Sequence, residues 1–215
     1  MIKLLIFDYN GLLTDFPRER WFREAKRFAK KHKVSLKKQN ELWNELNKSV
    51  IIGKISLSEA QGMVIKKMGL GNDEAKEWIR MDTLIVENFI KPKKFVKPTL
   101  KKLRKYKLAI LSNAVHNKKI KYNALKNNNI KDFDAIFCSC DIGYEKPQKK
   151  AYFFVLNHFK VKPYEAVFIG HSKKELKGAR NCKIKTIAVK GDKGAKADFY
   201  AEDFAEIPKI LENIK

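Results

Sequence analysis

Apolar residues occur in this chain in two arrangements, and the difference between them divides it. Five short runs are apolar almost without interruption: KLLIF at 3–7, LAILS at 108–112, AIFCS at 135–139, AVFIG at 166–170 and KTIAV at 185–189. None alternates with polar residues and each ends in a turn or polar position, which predicts strands buried on both faces of a parallel sheet. Helical patterns follow the second, third and fourth runs, as VHNKKIKYNALKNNN, PQKKAYFFVLNHF and SKKELKGARNC. Strands that alternate with helices in this way predict an α/β fold, a doubly wound parallel sheet with helices on both faces.

From about Pro17 to Ile90 the rhythm stops. Four amphipathic helical patterns succeed one another there, RERWFREAKRFAKKH, LKKQNELWNELNKSV, SLSEAQGMVIKKMG and NDEAKEWIRMDTLIVENFI, with no strand among them. Ser56 and Glu59 have the spacing of a capping box, and Asn72 or Asp73 is placed to cap the fourth helix. The chain is therefore expected to hold an α/β core made of residues 1–15 and 93–215, interrupted by a helical module at 16–92. Pro92 and Pro98, in KPKKFVKP, suit a stiff hinge at the return.

Composition narrows the class. With 215 residues, 44% of them hydrophobic, the chain can bury a core of one domain with an insertion. Lys and Arg number 47 against 24 acids, a formal charge of +23. Such a surface attracts phosphates, nucleic acid or acidic partners. The basic residues are spread along the chain and mixed with acids, with no concentrated arm or aromatic stripe, so no nucleic-acid partner is expected. Cys138, Cys140 and Cys182 have no metal-binding spacing and read as core residues of a reducing compartment. The apolar start MIKLLIFDYN is too short for a signal peptide or a membrane span. The expectation is a cytoplasmic protein without membrane contact; nothing in the sequence fixes its oligomeric state.

In an open α/β sheet the ligand lies beyond the carboxyl ends of the strands. Polar residues stand at four of those ends: Asp8 after the first run, Ser112 and Asn113 at the second, Lys146 in the loop GYEKP, and His171 with Ser172 after FIG. An acid, a hydroxyl and an ammonium group are what phosphoryl transfer to a carboxylate requires, since the carboxylate attacks phosphorus while the others hold its non-bridging oxygens. Trp21, Trp43 and Trp78 follow the helical periodicity of the inserted module and are read as packing residues, and Tyr152 as packing at the start of its helix.

The ordered set of these stretches resembles the haloacid dehalogenase (HAD)-like hydrolase superfamily. FDYNGLLTD resembles its first motif, Asp-x-Asp-Gly-Thr, with Asp8 at the nucleophile. LSNA resembles the second with Ser112, EKPQKKAY the third with Lys146, and FIGHSKKELKGARNCKIKTIAV the fourth, which normally opens Gly-Asp-Ser. The insertion is similar to the helical cap of phosphoglycolate-phosphatase-like members. The resemblance implies a HAD-like Rossmannoid core and an aspartyl-phosphate on Asp8. It further implies that Ser112, Asn113 and Lys146 bind the phosphate of a small phosphorylated molecule, with magnesium held near Asp8, the Asn10 carbonyl and Glu175.

Three positions depart from that pattern. Asn10 stands where the second acid protonates the leaving oxygen, and an amide cannot do so; loss of such acid–base help costs ~10²–10⁴-fold. His171 replaces an acid that ligates magnesium, and imidazole is a poor ligand for a hard cation. Leu12 stands for the usual Thr. The expectation is thus a phosphatase-type HAD hydrolase of weak activity. Its alternative is a catalytically silent HAD-fold protein that binds a phosphorylated ligand or an acidic partner. Metal-independent dehalogenation ranks last, because GHSKKEL lacks the Ser-x-Asn of dehalogenases.

Overall fold

A computed structural model describes residues 1–214. Its elements run β1 (Leu4–Phe7), β2 (Thr14–Asp15), α1 (Arg18–Lys31), α2 (Leu36–Ile51), α3 (Leu57–Lys67), α4 (Asn72–Phe89), β3 (Lys91–Pro92) and α5 (Val96–Lys102). There follow β4 (Lys107–Ser112), α6 (Lys118–Asn127), β5 (Ala135–Cys138), a single turn α7 (Ser139–Ile142), α8 (Lys149–Phe159) and β6 (Ala166–Gly170). The chain closes with α9 (Lys173–Asn181), β7 (Lys185–Val189), β8 (Phe199–Ala201) and α10 (Ile207–Glu212).

Six parallel strands form the sheet in the order β5-β4-β1-β6-β7-β8. All five expected runs are strands. Side chains alternate across the pleat, so Leu5, Phe7, Ile110 and Ile169 meet Leu100 of α5, Leu125 of α6 and Leu211 of α10 on one face. Leu4, Ile6, Ala109 and Phe168 meet Val155 of α8 and Leu176 of α9 on the other. β1 lies between β4 and β6, and the connections leave it in opposite directions, so the crevice of this doubly wound sheet opens where β1 ends. The edge strand β8 escaped sequence reading because it is three residues long. It is fixed by Asp198, whose carboxylate accepts from both Thr186 N and Oγ1 (2.8 and 2.7 Å).

The four helices of the insertion are present, with a small core of Ala25, Phe28, Ile65 and Trp78. The Ser56–Glu59 capping box forms. At α4, however, the cap is Gly71, and Asn72 is already helical: the Glu74 carboxylate reaches back to accept from Gly71 N–H at 2.9 Å, and this single bond marks the boundary. The connection to the core also differs from a free proline hinge. Pro92 pairs with Thr14 in an antiparallel ribbon of β2 and β3, and Pro98 lies in the first turn of α5, where its missing N–H leaves no bond unmade. α4 is bound directly to α6 as well. Asn123 donates to Glu87 Oε1 (2.7 Å), Asn128 to the Ile90 carbonyl (2.8 Å), and Val86 and Ile90 enter the sheet's own core.

Candidate active site

Asp8 is the first residue past β1, and its N–H continues the sheet by donating to the Ile169 carbonyl at 2.9 Å. Behind it the chain turns sharply: Leu13 N–H donates to the Tyr9 carbonyl and Gly11 N–H to the Thr14 carbonyl. Gly11 takes φ +82°, and a Cβ there would stand 2.4 Å from His171 Nε2. Glycine is required both by the backbone angle and by the imidazole pressed against it.

The strand ends bring the expected side chains together. Lys146 Nζ is wholly buried between two carboxylates, 2.6 Å from Asp8 Oδ1 and 2.8 Å from Glu175 Oε2. His171 Nε2 faces the second oxygen of Asp8 at 3.4 Å and the Asn10 carbonyl at 3.2 Å, while its Nδ1 faces Asp192 at 3.5 Å. Ser112, the last residue of β4, is buried at the same edge. Asn113 is committed: its Nδ2 donates to the Lys146 carbonyl and its Oδ1 accepts from Lys146 N–H, both at 2.8 Å. Its carboxamide thus positions the lysine. Tyr152 does more than pack, since its hydroxyl donates to the Glu175 carbonyl at 2.7 Å. Gly178 lets α9 approach the same loop, because a Cβ there would stand 2.7 Å from Pro147 Cβ.

The electrostatics follow from these contacts. Burial works against the charge of Asp8, but the Lys146 ammonium and the His171 and Lys146 hydrogen bonds outweigh it and hold the carboxyl at about 2. The bond to Asp8 raises His171 to about 9. Glu175 is raised, because burial and the Asp8 charge outweigh the attraction of Lys146. The Asn10 carbonyl can only accept, so His171 Nε2 carries a proton, and the imidazole and the Lys146 ammonium flank the two oxygens of Asp8.

This donor set does not suit magnesium, which demands oxygen ligands at about 2.0–2.1 Å in near-octahedral order. Both Asp8 oxygens and one of the two Glu175 oxygens, Oε2, already face cations, and the Asn10 carbonyl faces an imidazole N–H. No cluster of three His, Cys, Asp or Glu side chains able to hold a metal ion is found among the described residues.

Two cavities that share Asn10, Phe16 and Arg18 in their walls meet at this edge. One, of about 860 Å³, is lined by Asn10, Gly11 and His171 together with Arg18, Arg20 and Arg23 of α1. The other, of about 440 Å³, lies between cap and core and is walled by Phe22, Trp43 and Leu57, among others. Trp21 and Trp78 also line it. Sequence reasoning missed the polar residues here. Asp82 of α4 is buried and accepts from Trp21 Nε1 (2.8 Å) and Gln61 Nε2 (3.0 Å), with His116 Nε2 at 2.8 Å. A signal was present: Asp82 shares the apolar face of Trp78, Ile85 and Val86, and Lys121 that of Ala124 and Leu125.

The profile of the haloacid dehalogenase-like hydrolase family matches residues 5–189. The chain belongs to this family. Solved structures of the same fold include a 2-haloacid dehalogenase from Pseudomonas syringae pv. tomato DC3000, with 20% identity over 99% of both chains and a TM-score of 0.79. The L-2-haloacid dehalogenase of Xanthobacter autotrophicus has 20% identity over 100% of both chains and a TM-score of 0.71. The putative HAD-hydrolase YfnB of Bacillus subtilis, solved with magnesium, has 18% identity over 98% of this chain and 99% of that one, also at 0.71. Among curated proteins, bifunctional epoxide hydrolase 2 of Rattus norvegicus is 41% identical over 58 residues, 27% of this chain. The match spans about a tenth of that relative's length (10%). No helix among the described residues is long and apolar enough to cross a membrane.

Proposed function

We propose that this HAD-like hydrolase cleaves a small phosphorylated compound slowly, through an aspartyl-phosphate on Asp8, with His171 and Lys146 as its resident cations and no divalent metal. The observation that carries this reading is the cavity at the reacting edge, whose wall holds Arg18, Arg20 and Arg23 against Asp15 and Glu19, together with Asn10 and His171. Three guanidinium groups and an imidazole outnumber the two carboxylates in this wall and favour an anion beside the Asp8 centre.

Asp8 forms a bond to phosphorus as the bond to the leaving oxygen breaks. Lys146 and His171 hold the carboxylate in place and offset charge on the phosphoryl oxygens, beside Ser112. The leaving oxygen takes its proton from solvent, since Asn10 has none to give, and turnover is slow for that reason. Water then attacks phosphorus, releasing phosphate and restoring Asp8.

The test is hydrolysis of p-nitrophenyl phosphate with EDTA present, together with mass spectrometry of the acid-quenched enzyme. Turnover that ignores EDTA and a phosphoryl adduct on the Asp8 peptide are expected. A strict requirement for added magnesium, or an adduct that survives Asp8→Asn, would overturn the reading. Asn10 itself favours a second reading, displacement of halide from carbon by Asp8, because halide leaves without a proton. Chloride release from 2-chloropropionate, with none of p-nitrophenol from the phosphate ester, would select it.

A further inference from the structure

The smaller cavity contains groups that the chemistry at Asp8 does not use. Lys121 is the one lysine of α6 that turns inward, and it is 3% exposed. Its Nζ lies 3.9 Å from the centre of the Tyr9 ring, and no carboxylate among the described residues pairs with it. The acid whose charge reaches it is Asp8, which Lys146 and His171 already hold, and Asp82 across the cavity is engaged by Trp21, Gln61 and His116. The aromatic face offsets only part of the cost of burying an ammonium group, which burial pushes below the ordinary lysine range.

Two further groups lining the same space are unpartnered. Gln61 spends its amide N–H on Asp82, leaving its Oε1 buried without a donor, and Gln39 Oε1 is buried without one as well. They come from α3 and α2 of the cap, while Lys121 belongs to the core. Aromatic and aliphatic side chains, among them Phe22, Trp43 and Leu57, form much of the remaining wall. Asn10, Phe16 and Arg18 line this cavity and the arginine-bearing one alike, so the two adjoin.

We propose that this lobe is a recognition subsite for the non-reacting end of the substrate, which bears a carboxylate held by Lys121 and a hydroxyl or amino group facing Gln39 and Gln61. Charge decides for carboxylate. Among the described residues Lys121 is the only lysine or arginine buried in this lobe, Arg18 being exposed at its mouth. A monoanion neutralises one ammonium group, whereas a phosphate dianion would leave a second charge buried without a partner. The two glutamine carbonyls then require donors, which a hydroxy or amino acid supplies and a plain fatty acid does not. A substrate is thereby selected by a clamp whose two jaws belong to different parts of the molecule, and it fits only when cap and core are together.

This inference takes from the proposed function only that Asn10 marks the border with the reacting end, and its test involves no turnover. The Asp8→Asn protein is titrated with 2-hydroxyhexanoate, its methyl ester, hexanoate and butyl phosphate. Tryptophan fluorescence reports binding, because Trp21 and Trp43 line the lobe, and calorimetry checks it. The hydroxy acid is expected to bind most tightly, the ester about tenfold or more weaker. Lys121→Met should abolish the preference for acid over ester while leaving ester affinity unchanged. Gln39→Leu with Gln61→Leu should remove the preference for 2-hydroxyhexanoate over hexanoate. Methionine fills the lysine's space without its charge, so the variant should fold; Lys121→Gln serves if it does not. Equal binding of acid and ester, tighter binding of butyl phosphate, unchanged affinity in Lys121→Met, or no binding at all would overturn the proposal. Failure of p-nitrophenyl phosphate hydrolysis would leave it intact.

Discussion

Among the described residues two aspartates are buried, each facing a histidine, and they are used in opposite ways. Asp82 sits in the seam between cap and core, where both of its oxygens are filled by neutral or histidine donors: Trp21, Gln61 and His116. Asp8 sits at the end of β1, where its oxygens face two cations, one fully buried and one near the surface. The first aspartate joins a cap helix to the loop after β4 and lines the cavity between them, with its hydrogen-bonding capacity taken up by its neighbours. The second lies behind Asn10 and His171, which line the cavity that Arg18, Arg20 and Arg23 also border. Burial alone therefore says little about the role of an acid; the identity of its partners, neutral and histidine donors in one case and cations in the other, decides it.

The largest effect that would sharpen this contrast is on turnover. Asp8→Asn should lower phosphate-ester or halide cleavage by about three orders of magnitude or more, as loss of a nucleophile does. The same variant should remain folded, because Lys146 keeps Glu175 as a partner. Asp82→Ala should do the reverse. Leaving His116, Trp21 and Gln61 unpaired in the seam should cost about 3–5 kcal/mol, measured by urea unfolding. Comparable losses of stability in both variants would erase the distinction.

The pH dependence of stability separates the centres next. His171 is raised from 6.5 to about 9, so its contribution is complete below 6.5 and is lost as pH rises through about 9. Asp8 is lowered from 3.8 to about 2, so its contribution is present above 3.8 and is lost as pH falls through about 2. The melting temperature should accordingly fall on the alkaline side in the native protein and less in His171→Gln. A native curve no steeper there than the variant's would mean that the imidazole does not hold Asp8.

The smallest effect tests the turn itself. Gly11→Ala should destabilise by about 1–2 kcal/mol through the left-handed backbone angle. It should also push His171 from Asp8, visible as a flattened alkaline limb of the same stability curve.

Much of this was legible along the chain. The five apolar runs and the four amphipathic helices needed only local pattern, since a strand buried on both faces and a helix buried on one are written in consecutive residues. The strand ends then placed Asp8, Ser112, Lys146 and His171 at one edge, because a parallel sheet delivers the carboxyl ends of its strands to the same side. The ribbon of β2 and β3 was not legible. Its two strands are two residues each, and they pair across the whole cap.

What tertiary structure alone decided was who faces whom. Asn10 and His171 can be read in sequence as departures from a motif. That the imidazole of His171 lies against the carbonyl of Asn10, with Gly11 making room, depends on β1 and β6 lying side by side. The same holds for Lys121 and Gln61, ordinary surface types that the sequence gives no reason to pair in one cavity. Periodicity is a property of neighbours along the chain. Charge balance, orphaned carbonyls and the sharing of a cavity between cap and core are properties of residues brought together from far apart, and only the fold assigns them.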